Sequence, residues 1–275
     1  MNILRPKKMI TSSILLWGTS LFTLFLLGYM SFQSLRDKKD LLSNTFGIPD
    51  ALSFANYIKL FAEAKFFVYF FNSVFILIAA LLLVVILSTM AAYGIGRFQF
   101  KGKQGVLLYF LVGLMFPVQL GIVPVFLLIR QLGLINTPWA VVLVLAAGLS
   151  MPVFLLTIFF EKLPKDMYES AKIDGANEWT TFYKIMFPLA SPVVFSVCII
   201  MSVQIWNQFF IPIIFLQSES NKTLPLMIVK FTNNMMYNFD LALAGSVMAT
   251  IPLLILFFFF SGKVMEGMAS GGVKG

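Results

Sequence analysis

The sequence has no histidine and a single cysteine, Cys198. These absences remove the usual metal ligands, the Ser-His and Cys-His nucleophile pairs, and any internal disulfide. Charge is also scarce. Charged residues make up 12% of the chain, whereas soluble globular domains carry about 25%. No acid or base lies deep inside a long apolar run, where a central charge costs about 2.5–3.5 kcal/mol on insertion scales. That absence also removes the carboxylate relay expected of a proton-driven pump. There is no Walker A sequence: Ser261-Gly262-Lys263 lacks the upstream glycine and the following hydroxyl. The expectation is therefore a chain that is not an enzyme, with no catalytic residue, cofactor or metal, and with its energy supplied from outside.

What the chain has instead is apolar length. Hydrophobic residues reach 59%, with 31 Phe and a mean hydropathy of +0.91. This composition predicts an all-α integral membrane protein with lipid around much of its surface. The net charge of +8 does not call for nucleic acid, because the basic residues sit between apolar runs.

The runs predict six transmembrane helices, at about 14–32, 67–96, 106–129, 139–160, 189–216 and 241–260. Together they make a transmembrane domain over 14–260, flanked by an N-terminal segment 1–13 and a tail 261–275. The first run follows Arg5, Lys7 and Lys8, as a cleaved signal would. It is too long for that and lacks a small-residue cleavage site, so an uncleaved helix is expected. Asn56 to Lys65 is mildly amphipathic and predicts a short surface helix in the first loop. Pro117 and Pro124 interrupt the third run, with Gln119 between them, and Pro152 lies in the fourth. Interrupted backbone is tolerated only against protein or water, so the third run is either a kinked packing helix or a pore wall.

Six spans place both termini on one side. The N-terminus, the turn with Arg97, Lys101 and Lys103, the 161–188 loop and the tail hold twelve Lys and Arg against six acids. The other three loops hold eight against six. The bias puts both termini in the cytoplasm of a cell-membrane protein.

One loop differs from the rest. Glu161 to Lys184 carries nine charges in twenty-four residues. Pro164 marks a boundary. Asp166 with Glu169 reads as a capping box opening a helix from Met167 to about Asp174. Gly175 supplies the left-handed turn. Asn177 caps a second helix through Trp179, Phe182 and Ile185, expected to stop near Phe187 because Pro188 follows. The segment is either an amphipathic loop resting on headgroups or a knob presented to another protein.

Glu169-Ser170-Ala171, Asp174-Gly175-Ala176, Ile185, Pro188 and Pro192 resemble the Glu-Ala-Ala motif of binding-protein-dependent ABC importer permeases. Ser170 departs from the family's usual Ala, though both are small. Other pieces resemble the carbohydrate-uptake, maltose-permease-like branch of that family. They are Ala91-Ala92-Tyr93 with Arg97-Phe98, Phe100 and Gly102; Leu132-Gly133-Leu134 with Thr137; Trp206-Asn207; Thr223-Leu224-Pro225; and the glycine-rich tail from Gly267. The resemblance implies the type I ABC importer permease fold, with 161–188 as a cytoplasmic coupling-helix loop. It implies ATPase coupling through Glu169, Ser170, Ala171, Asp174, Gly175 and Ala176. It also implies partners: a second, homologous permease, two ATP-binding subunits, an extracellular solute-binding protein and a carbohydrate substrate.

A solute path must use neutral polar groups. Gln204, Asn207 and Gln208 lie on the fifth run, Gln204 and Gln208 one helical step apart. With Gln119 they are the candidates. Amides offer donors and acceptors to sugar hydroxyls, and Trp206, Phe209 and Phe210 offer faces for stacking. The alternative for all of them is hydrogen bonding and packing between helices. A stand-alone channel or secondary carrier for a small polar solute remains the alternative function.

Overall fold

The computed structural model describes the backbone of residues 6–44, 47, 51–233 and 235–272, and the side chains of 12–44, 47, 51–233 and 238–260. Among the described residues the regular structure is helical, with no strand. Four helices are long and apolar enough to cross a membrane: Ser12–Gln33, Phe66–Arg97, Glu178–Trp206 and Asn238–Phe260. Counting each of two bent pairs as one span gives six.

The chain divides into two compact units. The first comprises Met1–Phe67 and Met227–Ile251. It holds α1 (Pro6–Gln33), α2 (Lys38–Ser43), α3 (Ala55–Ala62), most of α13 (Leu224–Thr232) and the start of α14 (Met235–Gly272). The described side chains of α1 are apolar and exposed from Ile14 through Leu26, apart from scattered Thr, Ser and Gly. That is the signature of a lipid-facing helix. Beyond α1 the chain folds around Arg36, whose side chain is fully buried. Arg36 Nη1 donates to Gln33 Oε1 at 2.7 Å and to the Gly47 carbonyl at 3.0 Å, and Nη2 donates to the Asn44 carbonyl at 2.8 Å. Asn56 on α3 donates to the Ser34 and Arg36 carbonyls at 2.9 and 2.8 Å. The expected surface helix is α3; α2 was not expected.

The second unit comprises Val68–Leu226 and Pro252–Gly275. Its core is built from α4 (Phe66–Arg97), α7 (Pro138–Ala146), α8 (Ser150–Lys162), α11 (Phe187–Trp206) and α12 (Phe210–Phe215). On α4, Ile76, Ala80, Val84, Ser88 and Ala92 step by four along one buried face. Phe71, Phe75, Ile78, Leu82 and Ile86 are exposed and equally apolar. A helix apolar on every side belongs in lipid.

Three expected spans are not straight. α5 (Lys103–Met115) and the segment through α6 (Ile122–Gln131) are bent by 95°. Pro117 begins the single 3-10 turn between them, and Pro124 falls in the first turn of α6, where its missing N–H removes no helical bond. The fourth run breaks at Ala147–Leu149, with α7 and α8 bent by 41°. Pro152, placed within the fourth run, sits in the first turn of α8, where a missing N–H costs no helical bond. The fifth run breaks after Trp206, so Gln204 and Gln208 do not share a helix face. The 217–240 segment, read as a loop, contains α13 and the start of α14, with Asp240 buried in that start. The tail residues from Gly267, and residues 1–11 of the N-terminal segment, lie outside the side chains described.

Candidate functional site

The 161–188 loop forms α9 (Lys165–Ile173), a turn, and the single-turn helix α10 (Glu178–Thr181). Helix α9 starts two residues before the expected Met167. Pro164 is its N-cap without a side-chain bond, and Asp166 lies inside the first turn. The expected capping box is therefore absent, and Asp166 instead places negative charge beside free N–H groups.

The turn that follows has a specific hydrogen-bond pattern. Gly175 adopts φ +77. Its N–H donates to the Lys172 carbonyl at 3.1 Å, and the Ala176 N–H donates to the Ala171 carbonyl at 2.9 Å. This is the paired closure of a Schellman motif, which requires the left-handed residue at this position. The motif residues thus divide by role. Ala171, only 3% exposed, Gly175 and half-buried Ala176 build the turn. Glu169, Ser170 and Asp174 face outward. Met167, Ile173, Trp179 and Tyr183 add exposed apolar surface, Ile173 at 86%.

Asn177 caps α10 as expected, its Oδ1 accepting from the Thr180 N–H at 2.8 Å. The second helix does not end at Phe187. A π turn over Phe182–Met186 runs directly into α11. Its wider register closes with the Phe187 N–H donating to the Phe182 carbonyl. Pro188, lacking an N–H, then falls in the first turn of α11, and the chain enters the span without a break.

Glu178 joins this segment to α4. Its Oε1 accepts from the Tyr168 hydroxyl at 2.7 Å and from Lys172 Nζ at 2.8 Å. Its Oε2 accepts from the Tyr93 hydroxyl at 3.1 Å. Arg97 stacks on the Tyr168 ring at 4.1 Å and donates to the Lys165 carbonyl at 3.2 Å. Burial and the bond to Glu178 push the Tyr168 hydroxyl above the ordinary tyrosine range, so it remains a donor at physiological pH. Neither Glu178 nor its link to Tyr93 was expected. The only local signal was an acid in the first turn after an Asn cap.

The candidate solute path is less unified. Gln119 is exposed on the turn between α5 and α6. Gln204 is exposed, with Nε2 3.9 Å from Met151 Sδ. Asn207 Nδ2 donates back to the Val203 carbonyl at 2.9 Å, and Gln208 Oε1 accepts the Phe210 N–H at 3.1 Å. Those two amides stabilise the end of α11 and the start of α12. Trp206 is buried with its ring against Phe70 at 6.0 Å, so it packs between helices and offers no face for stacking. Phe209 stays exposed.

A further cluster escaped the sequence reading. Asn136, at φ +62, accepts the Gln217 and Ser218 N–H groups on its Oδ1 at 2.9 and 2.8 Å. Its own N–H donates to the Phe215 carbonyl at 2.8 Å. Ser73 Oγ accepts the Leu224 N–H at 2.8 Å, and Asn72 donates to the Ser220 and Lys222 carbonyls. Tyr69 donates to Glu219. Together these hold the segment after α12 across the end of α4.

Apolar helices long enough to cross a membrane stand beside a charged, ordered segment. Residues 62–264 match the family described as binding-protein-dependent transport system inner membrane component, and the chain belongs to that family. It is a multi-pass membrane permease of the ABC importer class, as its motifs suggested. It is 33% identical over 261 residues to the diacetylchitobiose uptake system permease protein NgcG of Streptomyces coelicolor, covering 94% of this chain and 86% of that one. It is 35% identical over 246 residues to the arabinooligosaccharides transport system permease protein AraQ of Halalkalibacterium halodurans, covering 88% of each. The fold matches a chain of a crystal structure of a bacterial ABC transporter involved in import of the acidic polysaccharide alginate. That match has a TM-score of 0.80 at 21% identity, covering 95% of this chain and 99% of that one.

Proposed function

We propose that this chain is one of two permease subunits of an ATP-driven importer that moves a sugar or oligosaccharide across the cell membrane. Two ATP-binding subunits supply the energy, and an extracellular binding protein delivers the solute. The curated relatives, named for chitobiose and arabinooligosaccharide uptake, support a carbohydrate cargo. The observation that carries the coupling reading is the geometry of α9. A closed Schellman turn presents Glu169, Ser170 and Asp174 beside exposed Met167 and Ile173. Exposed apolar side chains on an ordered, charged element suit docking against a partner protein.

In this reading both termini and the 161–188 loop are cytoplasmic, the side that the basic bias favours. ATP-driven closure of the ATPases displaces α9, and the spans switch between outward-open and inward-open. Of the path candidates, Gln204 and Gln119 remain free to meet solute, whereas Asn207 and Gln208 shape the break in the fifth span.

The test is purification through a tag followed by reconstitution with a panel of sugars. Co-purification of a nucleotide-hydrolysing subunit and ATP-dependent uptake of a sugar support the proposal. A clean homo-oligomer that transports without ATP rejects it in favour of a channel or carrier.

A further inference from the structure

The coupling segment is tied to the spans by the chain at its two ends, through Leu163–Pro164 after α8 and through the π turn before α11. Side chains add a third tie, to α4. We propose that Glu178 is a positioning residue for coupling, whose carboxylate fastens the α9–α10 turn to Tyr93 so that displacement of α9 is delivered to α4. This inference rests on the reading of α9 as the lever.

Both carboxylate oxygens are engaged, and they look in different directions. Oε1 holds Tyr168 and Lys172 of α9, and Oε2 takes the hydroxyl of Tyr93 on α4. Lys172 also donates to the Ala176 carbonyl at 3.2 Å, so the same cation braces the Schellman turn. The α9 side of the joint therefore moves with the turn.

The α4 side is stiff. The Tyr93 ring is 6% exposed and is held by Phe98, Phe160 and Phe182 at centroid distances of 5.7, 5.7 and 5.1 Å. Near Tyr93, a Cβ on Gly96 would stand 2.8 Å from Phe160 Cβ. Helices α4 and α8 thus meet there almost backbone to backbone. Pulling on the Tyr93 hydroxyl is passed to α4 and α8, because three aromatic rings hold the Tyr93 ring in place. Beside the joint lies an apolar cavity of about 220 Å³, lined by Met90, Gly94, Phe98, Trp179 and Phe182 along with the bonded pair. It leaves room for α10 to shift before the packing resists.

The experiment uses the whole importer reconstituted in vesicles and reads solute imported per ATP hydrolysed. The variants are Tyr93→Phe, Glu178→Gln and the double. Each single substitution is expected to lower the ratio by about threefold or more, and the double no further than Glu178→Gln alone, because the Tyr93 hydroxyl acts through Glu178. Where Glu178→Gln fails to assemble, Tyr93→Phe decides alone, since it removes only a hydroxyl. Single variants that keep the wild-type ratio, or losses that multiply in the double, overturn the inference. A wild type without ATP-dependent uptake overturns the underlying reading and the inference with it; variants that match a coupled wild type overturn the inference alone.

Discussion

Arg36 Nη2 stands 2.7 Å from Asp40 Oδ1, with the Arg36 side chain wholly excluded from solvent. Its Nε donates to the other carboxylate oxygen at 2.8 Å, so the pair is bidentate. Around it the guanidinium collects the carbonyls of Asn44 and Gly47. Removing this cation would strand several acceptors at once. Arg36→Met should lower stability by about 3–5 kcal/mol, because Asp40 and several carbonyls lose their donor together. Asp40→Asn should cost less, since the carbonyls keep theirs. Thermal unfolding of the two variants in detergent checks the order.

Asn136 joins two segments about eighty residues apart in sequence, and it does so from a left-handed backbone position. Asn136→Gly keeps the backbone free to adopt that conformation but loses the side-chain bonds. Asn136→Ala loses both. The Ala variant should be the less stable of the two, by about 1 kcal/mol or more. Limited proteolysis across residues 217–222 should show faster cleavage in both variants, because that segment loses its tether.

Gly175 is required by the turn rather than by crowding. A Cβ there would meet nothing within 4 Å, but φ +77 strains any L-residue, at about 1–2 kcal/mol. Gly175→Ala should therefore lower uptake modestly. Gly175→Asp, which adds charge at the presented surface, should abolish coupling of ATP hydrolysis to uptake at normal expression. Uptake and ATPase assays on the same preparations measure both.

Exposed and buried residues of α9 should fail differently. Ile173→Asp changes an exposed apolar side chain and should reduce recovery of the ATPase partner several-fold while leaving thermal stability unchanged. Ala171→Glu forces a charge into a buried position and should lower stability itself. Yield of the complex and melting temperature, measured side by side, separate the two outcomes.

Local chemistry made some of this legible from sequence. Gly175 and Asn177 announced a left-handed turn and a cap, and both do what their side chains dictate. Long apolar runs located the membrane helices, and exposed apolar faces on α1 and α4 follow from the same composition. Asp166 misled because a cap depends on where the helix begins, and Pro164 caps it two residues earlier. Pro117 marked a break correctly, but a proline does not encode a 95° bend; neighbouring helices set that angle. Trp206 was equally suited to a pore or a core, and Phe70 decided it. Glu178 and Tyr93 are eighty-five residues apart, and Asn136 and Gln217 eighty-one. Such pairings have no periodic signature, so single-chain patterns could not show them. The motif residues were found as a group, but only the backbone bonds divide turn-builders from surface.

The most direct test of the account places a photo-crosslinking residue at Ser170 or Ile173 in intact cells with working uptake. The account predicts a covalent adduct with a nucleotide-hydrolysing subunit from both positions. Adducts with lipid alone, while uptake continues, would contradict it.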